Sequence, residues 1–210
     1  MDLLVVGLGN PGAEFDGTRH NIGADAVARV VARHHGSLTA EKGLHARAGQ
    51  ILIGGRRVLC AVPLTYMNES GLAVAPLVRR AGIDREDDTD APGGDGTGGG
   101  AGGVGTRLVI VHDELDLPSG RVKVKVGGGT AGNNGLKSIH AHLHTGDYVR
   151  VRIGIGKPPG RQPGADYVLK RPGSAEREVL AVAAGVAADA VELIATLGVE
   201  SAMNRINTAE

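Results

Sequence analysis

Tryptophan is absent from this 210-residue chain, phenylalanine occurs once and tyrosine three times. Proteins that hold RNA by stacking splayed bases need several exposed rings, so base stacking is not expected to dominate binding. Cysteine occurs once, at Cys60 in the apolar run VLCAV. A lone thiol forms no internal disulfide, which argues against a secreted scaffold and points to a reducing compartment. No basic segment followed by an apolar core opens the chain, and no apolar run is expected to approach a membrane span. The expectation is a soluble, cytoplasmic protein. Net charge is lacking too: 23 Lys and Arg balance 23 Asp and Glu. A polyanionic partner would have to be drawn by a local patch, because steering depends on where charge sits.

Glycine, by contrast, is plentiful, with 35 residues. Nine of them fall in residues 91–105, APGGDGTGGGAGGVG, directly after an acidic run. Such a segment has too little to bury to offset its ordering entropy. It is expected to be a flexible surface insert in one domain spanning residues 1–210, a length suited to a single good core.

Elsewhere strands, loops and helices alternate. Residues 3–6, LLVV, read as a strand buried on both faces. Residues 24–33 place Ala26, Val27, Val30 and Val31 at helical spacing, with Gly36 as the expected C-terminal cap. Residues 51–53 and 56–62 flank Gly54-Gly55, a pair that supplies the positive φ of a two-residue hairpin turn. A helix is expected over 71–81 with Gly82 as its stop, although Pro76 within it removes a backbone donor. RVKVKV at 121–126 alternates valines with Arg121, Lys123 and Lys125. A short helix at 136–143, an alternating strand at 148–155 and a long helix from a Ser174 cap to about residue 197 complete the pattern. The hairpin and the alternating strands argue against a purely parallel sheet. The predicted fold is α/β, a twisted mixed sheet flanked by helices in three layers.

After the first strand comes GLGNPGAEFDGTRHNIG, residues 7–23. Its letters contain the G-x-G-x-x-G of a dinucleotide-binding turn, but its context does not fit. Gly17 interrupts the helix that should meet a pyrophosphate, and the region where an acidic ribose ligand should lie is helical and basic. Asn10-Pro11-Gly12 instead reads as a rigid turn at the carboxyl end of a strand, with His20 at the same rim. Taken alone, Thr18 or Asn21 could be a helix cap and His20 a loop histidine. Three further polar loops leave strands: PLTYMNESG at 63–71, VHDELDLP at 111–118 and GGGTAGNNGL at 127–136. Singly, Asn68 or Ser70 also reads as a cap. His112, Asp113, Glu114 and Asp116 crowd one strand end, which is costly unless something uses the charge. In an open sheet all four loops converge on one rim.

These segments, with VRIGIGKP at 151–158, resemble bacterial peptidyl-tRNA hydrolases in the same order and at comparable positions. The likeness runs from about residue 3 to about residue 206, interrupted chiefly by the glycine-rich insert. The resemblance implies a monomeric enzyme without metal or cofactor, acting on the acceptor end and peptide backbone of peptidyl-tRNA, with no obligate protein partner and no membrane contact. It implies His20 as general base, for which an ordinary pKa of about 6.5 is suited, and Asp113 as the acceptor that fixes its tautomer. Asn10, Asn68 and Asn134 would be amide ligands of a peptide, able to donate and accept without burying a charge. A neutral peptide amide would thereby be favoured over the charged amine of ordinary aminoacyl-tRNA. Phe15 and Tyr66 are expected to contact substrate. RVKVKV alone reads rather as a solvated strand face, but adjacency to the polar loops and the resemblance turn the expectation for Lys125 and Arg152, with Lys123 and Lys137 nearby, to a phosphate clamp. Phe15 stands where the family usually has tyrosine, and Asn133 where many relatives have histidine; modest effects on binding are expected.

Two other classes compete. One is a non-catalytic RNA-binding protein on the same fold. The other is a metal-dependent hydrolase built on His112, Asp113, Glu114 and Asp116. His140, His142 and His144 also invite a metal reading, but no carboxylate stands at a matching spacing.

Overall fold

A computed structural model describes residues 1–84 and 105–208. The elements run β1 (Leu3–Gly7), α1 (Ile22–Arg33), β2 (Thr39–Glu41), β3 (Ala46–Ile53), β4 (Arg56–Pro63), α2 (Ser70–Ala81), β5 (Gly105–Glu114), β6 (Val122–Val126), α3 (Asn134–Leu143), β7 (Tyr148–Gly154), α4 (Gly164–Val168), α5 (Ser174–Leu197) and α6 (Val199–Thr208).

The period of two along β1 divides the core. Leu3 and Val5 face Val27 and Val30 of α1 and Ala184, Ala187 and Val191 of α5. Leu4 and Val6 face Val74 and Leu77 of α2 and Leu136 and Ile139 of α3. A sheet with a full apolar cluster on each side is the expected three-layer α/β/α arrangement in a single domain. The strand order is β2-β3-β4-β1-β5-β7-β6. Strands β4, β1, β5 and β7 are parallel, and the antiparallel strands β2, β3 and β6 lie outside them. From β1 the chain passes first to the β4 side and later to the β5 side. Ligands of open α/β sheets bind at such a reversal, beyond the carboxyl ends of the strands.

Local expectations fare unevenly. The hairpin forms with φ of 57° at Gly54 and 82° at Gly55, and α2 runs through Pro76 to a left-handed Gly82. The cap of α1 differs. His35 takes the left-handed conformation, with φ 54°. Its N–H donates to Ala32 O and the Gly36 N–H to Val31 O, at 3.1 and 2.9 Å, closing a Schellman motif. Gly36 is needed for space, because a Cβ there would lie 2.5 Å from Ile51 Cγ2. Ser174 is not a cap; it is the first residue of α5, and Gly173 precedes it without a side-chain bond. Helix α5 also corrects the membrane expectation. Its 24 residues contain an 18-residue stretch of mean hydropathy 1.9, long and apolar enough to cross a bilayer, but its alanine-rich stripe packs into the core. Cys60 is buried in β4, which pushes its thiol up to about 12. The expected insert at 91–105 lies outside the described residues, apart from Gly105, which opens β5.

Candidate active site

Gly7 and Gly23 set how closely β1, α1 and β5 approach. A Cβ on Gly23 would lie 2.2 Å from Val111 O, and one on Gly7 2.3 Å from Gly23 O. The Leu8 N–H donates to Val111 O and the Ala24 N–H to Leu8 O, each at 3.0 Å. The start of α1 is therefore seated on the ends of β1 and β5. The 3-10 turn Arg19–Asn21 ahead of it faces the residues that follow Val111. There His20 Nδ1 lies 2.9 Å from Asp113 Oδ2, although 93 positions separate them in sequence. Both are buried, His20 to 9% exposure and Asp113 to 4%. A carboxylate only accepts, so Nδ1 carries the proton and Nε2 keeps the basic lone pair.

The loop that holds His20 is fixed by side chains, not by caps. Neither Thr18 nor Asn21 makes a side-chain cap bond. Asn21 instead grips the main chain of Asn10, accepting its N–H at 2.8 Å and donating to its carbonyl at 2.9 Å. This occupies the turn that a pyrophosphate would need in a dinucleotide fold. Asn10 Oδ1 accepts the Met67 N–H at 2.7 Å, so the loops after β1 and β4 are joined and Nδ2 is the donor left to Asn10. Arg19 forms a two-pronged pair with Glu176 at 2.7 and 2.6 Å, donates to the carbonyls of Tyr167 and Lys170, and lies 4.1 Å over the Tyr167 ring. The bond to Glu176 holds its pKa above the ordinary arginine value.

A cavity of about 210 Å³ opens at the His20–Asp113 pair, lined also by Glu114, Leu115, Asn133, Asn134 and, from α4, Gly164, Ala165 and Val168. That is smaller than the roughly 300–1,000 Å³ of pockets enclosing a drug-sized ligand, and suits the end of a longer molecule. Of the expected amides, only Asn134 lines it. Asn10 borders a separate depression with Pro11, Asn21 and Leu64, and Asn68 is exposed in the 3-10 turn Met67–Glu69. Phe15 and Tyr66 meet edge to face, 6.3 Å between centroids at 81°, with Tyr66 largely in solvent. The acidic cluster disperses. His112 Nδ1 donates to Asp113 O at 2.7 Å, and burial holds its pKa below the usual histidine value. Glu114 binds Arg152 and the Asp116 N–H, while Asp116 pairs with Lys157 at the surface. Among the described residues, no three His, Cys, Asp or Glu side chains come together as an ion would require. In α3, His142 faces Ser138 O at 2.8 Å, whereas His144 ends the helix with φ 55°.

Comparison with known proteins gives this geometry its family. The model of the family described as "Peptidyl-tRNA hydrolase" matches residues 4–89 and 104–210. The chain is 46% identical to a peptidyl-tRNA hydrolase of Nocardia farcinica over 97% of its own length and 95% of that protein's. It is 42% identical to one of Cutibacterium acnes over 98% of each. A crystal structure of peptidyl-tRNA hydrolase from Acinetobacter baumannii superposes with a TM-score of 0.84 at 32% identity, over 99% of this chain and 95% of that one. The chain belongs to the peptidyl-tRNA hydrolase family.

Beside the His20 cavity the hydrolase fold presents a basic face. Antiparallel register sets Lys123 opposite Arg152 and Lys125 opposite Arg150, an arrangement of like charges that destabilises a sheet unless relieved. Relief comes from acceptors. Arg152 Nε and Nη2 each lie 3.0 Å from Glu114 Oε2, and the Arg150 guanidinium donates to the carbonyls of Gly128, Gly129 and Gly146. Strand β7 thus departs from the expected alternation, with Arg150 only 4% exposed. A cavity of about 260 Å³ is lined by Lys125, Arg150, Arg152, His112 and Glu114; Lys137 is exposed on α3, outside that lining. The parts that Arg19, Glu114 and Arg150 take here are not evident from their places in the sequence. The crowding of charge at the end of β5 was the signal for Glu114; nothing local marked the other two.

Proposed function

We propose that His20 and Asp113 carry out the reaction of this family, hydrolysis of the ester joining a peptide to the 3′ ribose of tRNA. The reading rests on one observation above all, the 2.9 Å contact between His20 Nδ1 and Asp113 Oδ2 at the mouth of a cavity. With Nδ1–H held by the carboxylate, Nε2 removes a proton from an attacking water, and Asp113 stabilises the imidazolium that forms. Asn134, at the first turn of α3 in the same cavity, receives the substrate's polar groups. Asn10, its oxygen committed to Met67 N–H, offers Nδ2 as a donor to a peptide carbonyl or to the developing oxyanion. Asn68, Phe15 and Tyr66 border the path of the peptide. No step calls for a cofactor. The enzyme works as a single chain in the cytoplasm, where its substrate arises.

The direct test compares N-acetylated with free aminoacyl-tRNA in the presence of a chelator. The acetylated substrate is expected to be cleaved more than about a hundredfold faster, because a site built for a neutral amide rejects an ammonium. Equal rates, or loss of activity with chelator, would overturn the assignment.

The basic face is the tRNA clamp. Arg152 is already paired with Glu114, whereas Lys125 is exposed on the edge strand, so Lys125 gives the cleaner test. Lys125→Ala should weaken tRNA binding and reduce the slope of log K against log salt by about 0.7–0.9. An unchanged slope would mean that phosphate lies elsewhere. Arg152→Ala is confounded, since it strands the buried Glu114 carboxylate.

A further inference from the structure

Asp113 has two oxygens, and His20 occupies only one. Oδ1 accepts a hydrogen bond from Asn133 Nδ2 at 3.2 Å. The other end of the Asn133 amide is committed as well: Oδ1 accepts the Leu136 N–H at 3.1 Å and caps α3. An N–H can bond only to the amide oxygen, so this cap fixes which end of Asn133 faces the carboxylate. The main chain of Asn133 is pinned too, its N–H donating to Thr130 O at 2.8 Å and its carbonyl accepting the Lys137 N–H at 3.1 Å.

We infer that Asn133 is a positioning residue for the reaction, holding the Asp113 carboxylate in the orientation that presents Oδ2 to His20 and coupling it rigidly to the start of α3. The inference rests on the His20–Asp113 assignment above. The same helix start carries Asn134 into the cavity, so one residue sets the spacing between the pair that activates water and an amide that meets substrate. The positive end of α3, ten residues long, is also directed towards the carboxylate through this link. The other charged groups around the pair are accounted for. On β5, His112 bonds Asp113 O and Glu114 is held by Arg152 of β7. Beside His20, Arg19 is held by Glu176 of α5. From α4 the cavity receives only Gly164, Ala165 and Val168.

Two variants that keep the cap separate this role from simple helix capping. Asn133→Ser retains an acceptor for Leu136 N–H but is too short to reach Asp113. It should lower kcat about tenfold with KM unchanged, the size expected on losing a hydrogen bond to a charged group. Asn133→Asp also keeps an acceptor but replaces the donor with a negative charge. It should move the acid limb of the kcat/KM profile up by about one pH unit, because two carboxylates in contact hold a proton between them to higher pH, and their second charge, once formed, favours protonated His20. Thermal midpoints near the parent's would show that the cap survives. Parental rates and profiles in both variants would overturn the inference, as would a change confined to KM, which would make Asn133 a substrate contact. Failure of both to fold would overturn it as well, by making the residue structural. Silent Asn133 variants beside an inactive His20→Ala protein would sink this inference alone; an active His20→Ala protein would sink the assignment beneath it.

Discussion

Replacing His20 with alanine is expected to lower kcat on N-blocked aminoacyl-tRNA by about 10²–10⁴-fold, the usual worth of a positioned general base, while tRNA affinity stays close to the parent's. The two readouts separate because His20 lines the small cavity at Asp113, whereas the cations line another. Asp113→Asn should be comparably damaging, for a reason particular to this site. Both Asp113 oxygens accept hydrogen bonds, and an asparagine at 113 can accept at only one end. Asn133 cannot turn over without losing its cap on α3. The new amide must therefore direct its oxygen to Asn133 and its NH2 to His20. Nδ1 of His20 then becomes the acceptor and Nε2 carries the proton, so the lone pair that should take a proton from water is lost. Single-turnover rates and equilibrium tRNA binding, measured on both variants, decide the matter. Turnover by His20→Ala within about twofold of the parent would remove the base from its role.

The largest loss of stability is expected at Arg19. Its guanidinium is buried, paired twice with Glu176, bonded to two carbonyls and stacked on Tyr167. Removing one partner of a buried pair costs about 3–5 kcal/mol; the lower end applies here because the Glu176 side chain is 26% exposed. A loss of about 3 kcal/mol lowers Tm by roughly 6–12 °C in a protein of this size. Arg33 gives the contrast. It pairs with Asp189 and Glu192 at the surface, with side-chain exposures of 37%, 53% and 29%, and exposed pairs contribute no more than about 1 kcal/mol. If thermal unfolding of Arg19→Ala and Arg33→Ala gave equal shifts, Arg19 would not be the anchor described. A loss of kcat should accompany the Arg19 change, since the next residue is His20.

The sequence made the scaffold legible wherever local rules govern. The apolar run of β1, the Gly54-Gly55 turn and the helical spacing of α1 each need only neighbouring residues to be understood. His20 and Asp113 were reached through the family resemblance together with the clustering of polar residues at strand ends. What stayed hidden depends on approach between distant segments. Arg19 meets Glu176 across 157 positions and Asn133 meets Asp113 across 20, and neither partner carries a local sign of the other. Asn21 looked like a cap because asparagine often is one, but its amide found the main chain of Asn10 instead. The acceptors that hold Arg150 and Arg152 were not legible because alternation describes the strand and not the loops and neighbouring side chains that cover it.

The close seating of Gly23 against Val111 also orders events during synthesis. His20 leaves the ribosome early, but its carboxylate partner belongs to β5, and α1 reaches its final place only when β1 and β5 have paired in parallel. Closing that long loop is the slow, entropically opposed part of assembling such a sheet. A nascent chain that ends before β5 therefore has the imidazole without its partner, and on the proposed assignment reactivity would arise together with the central strand pairing.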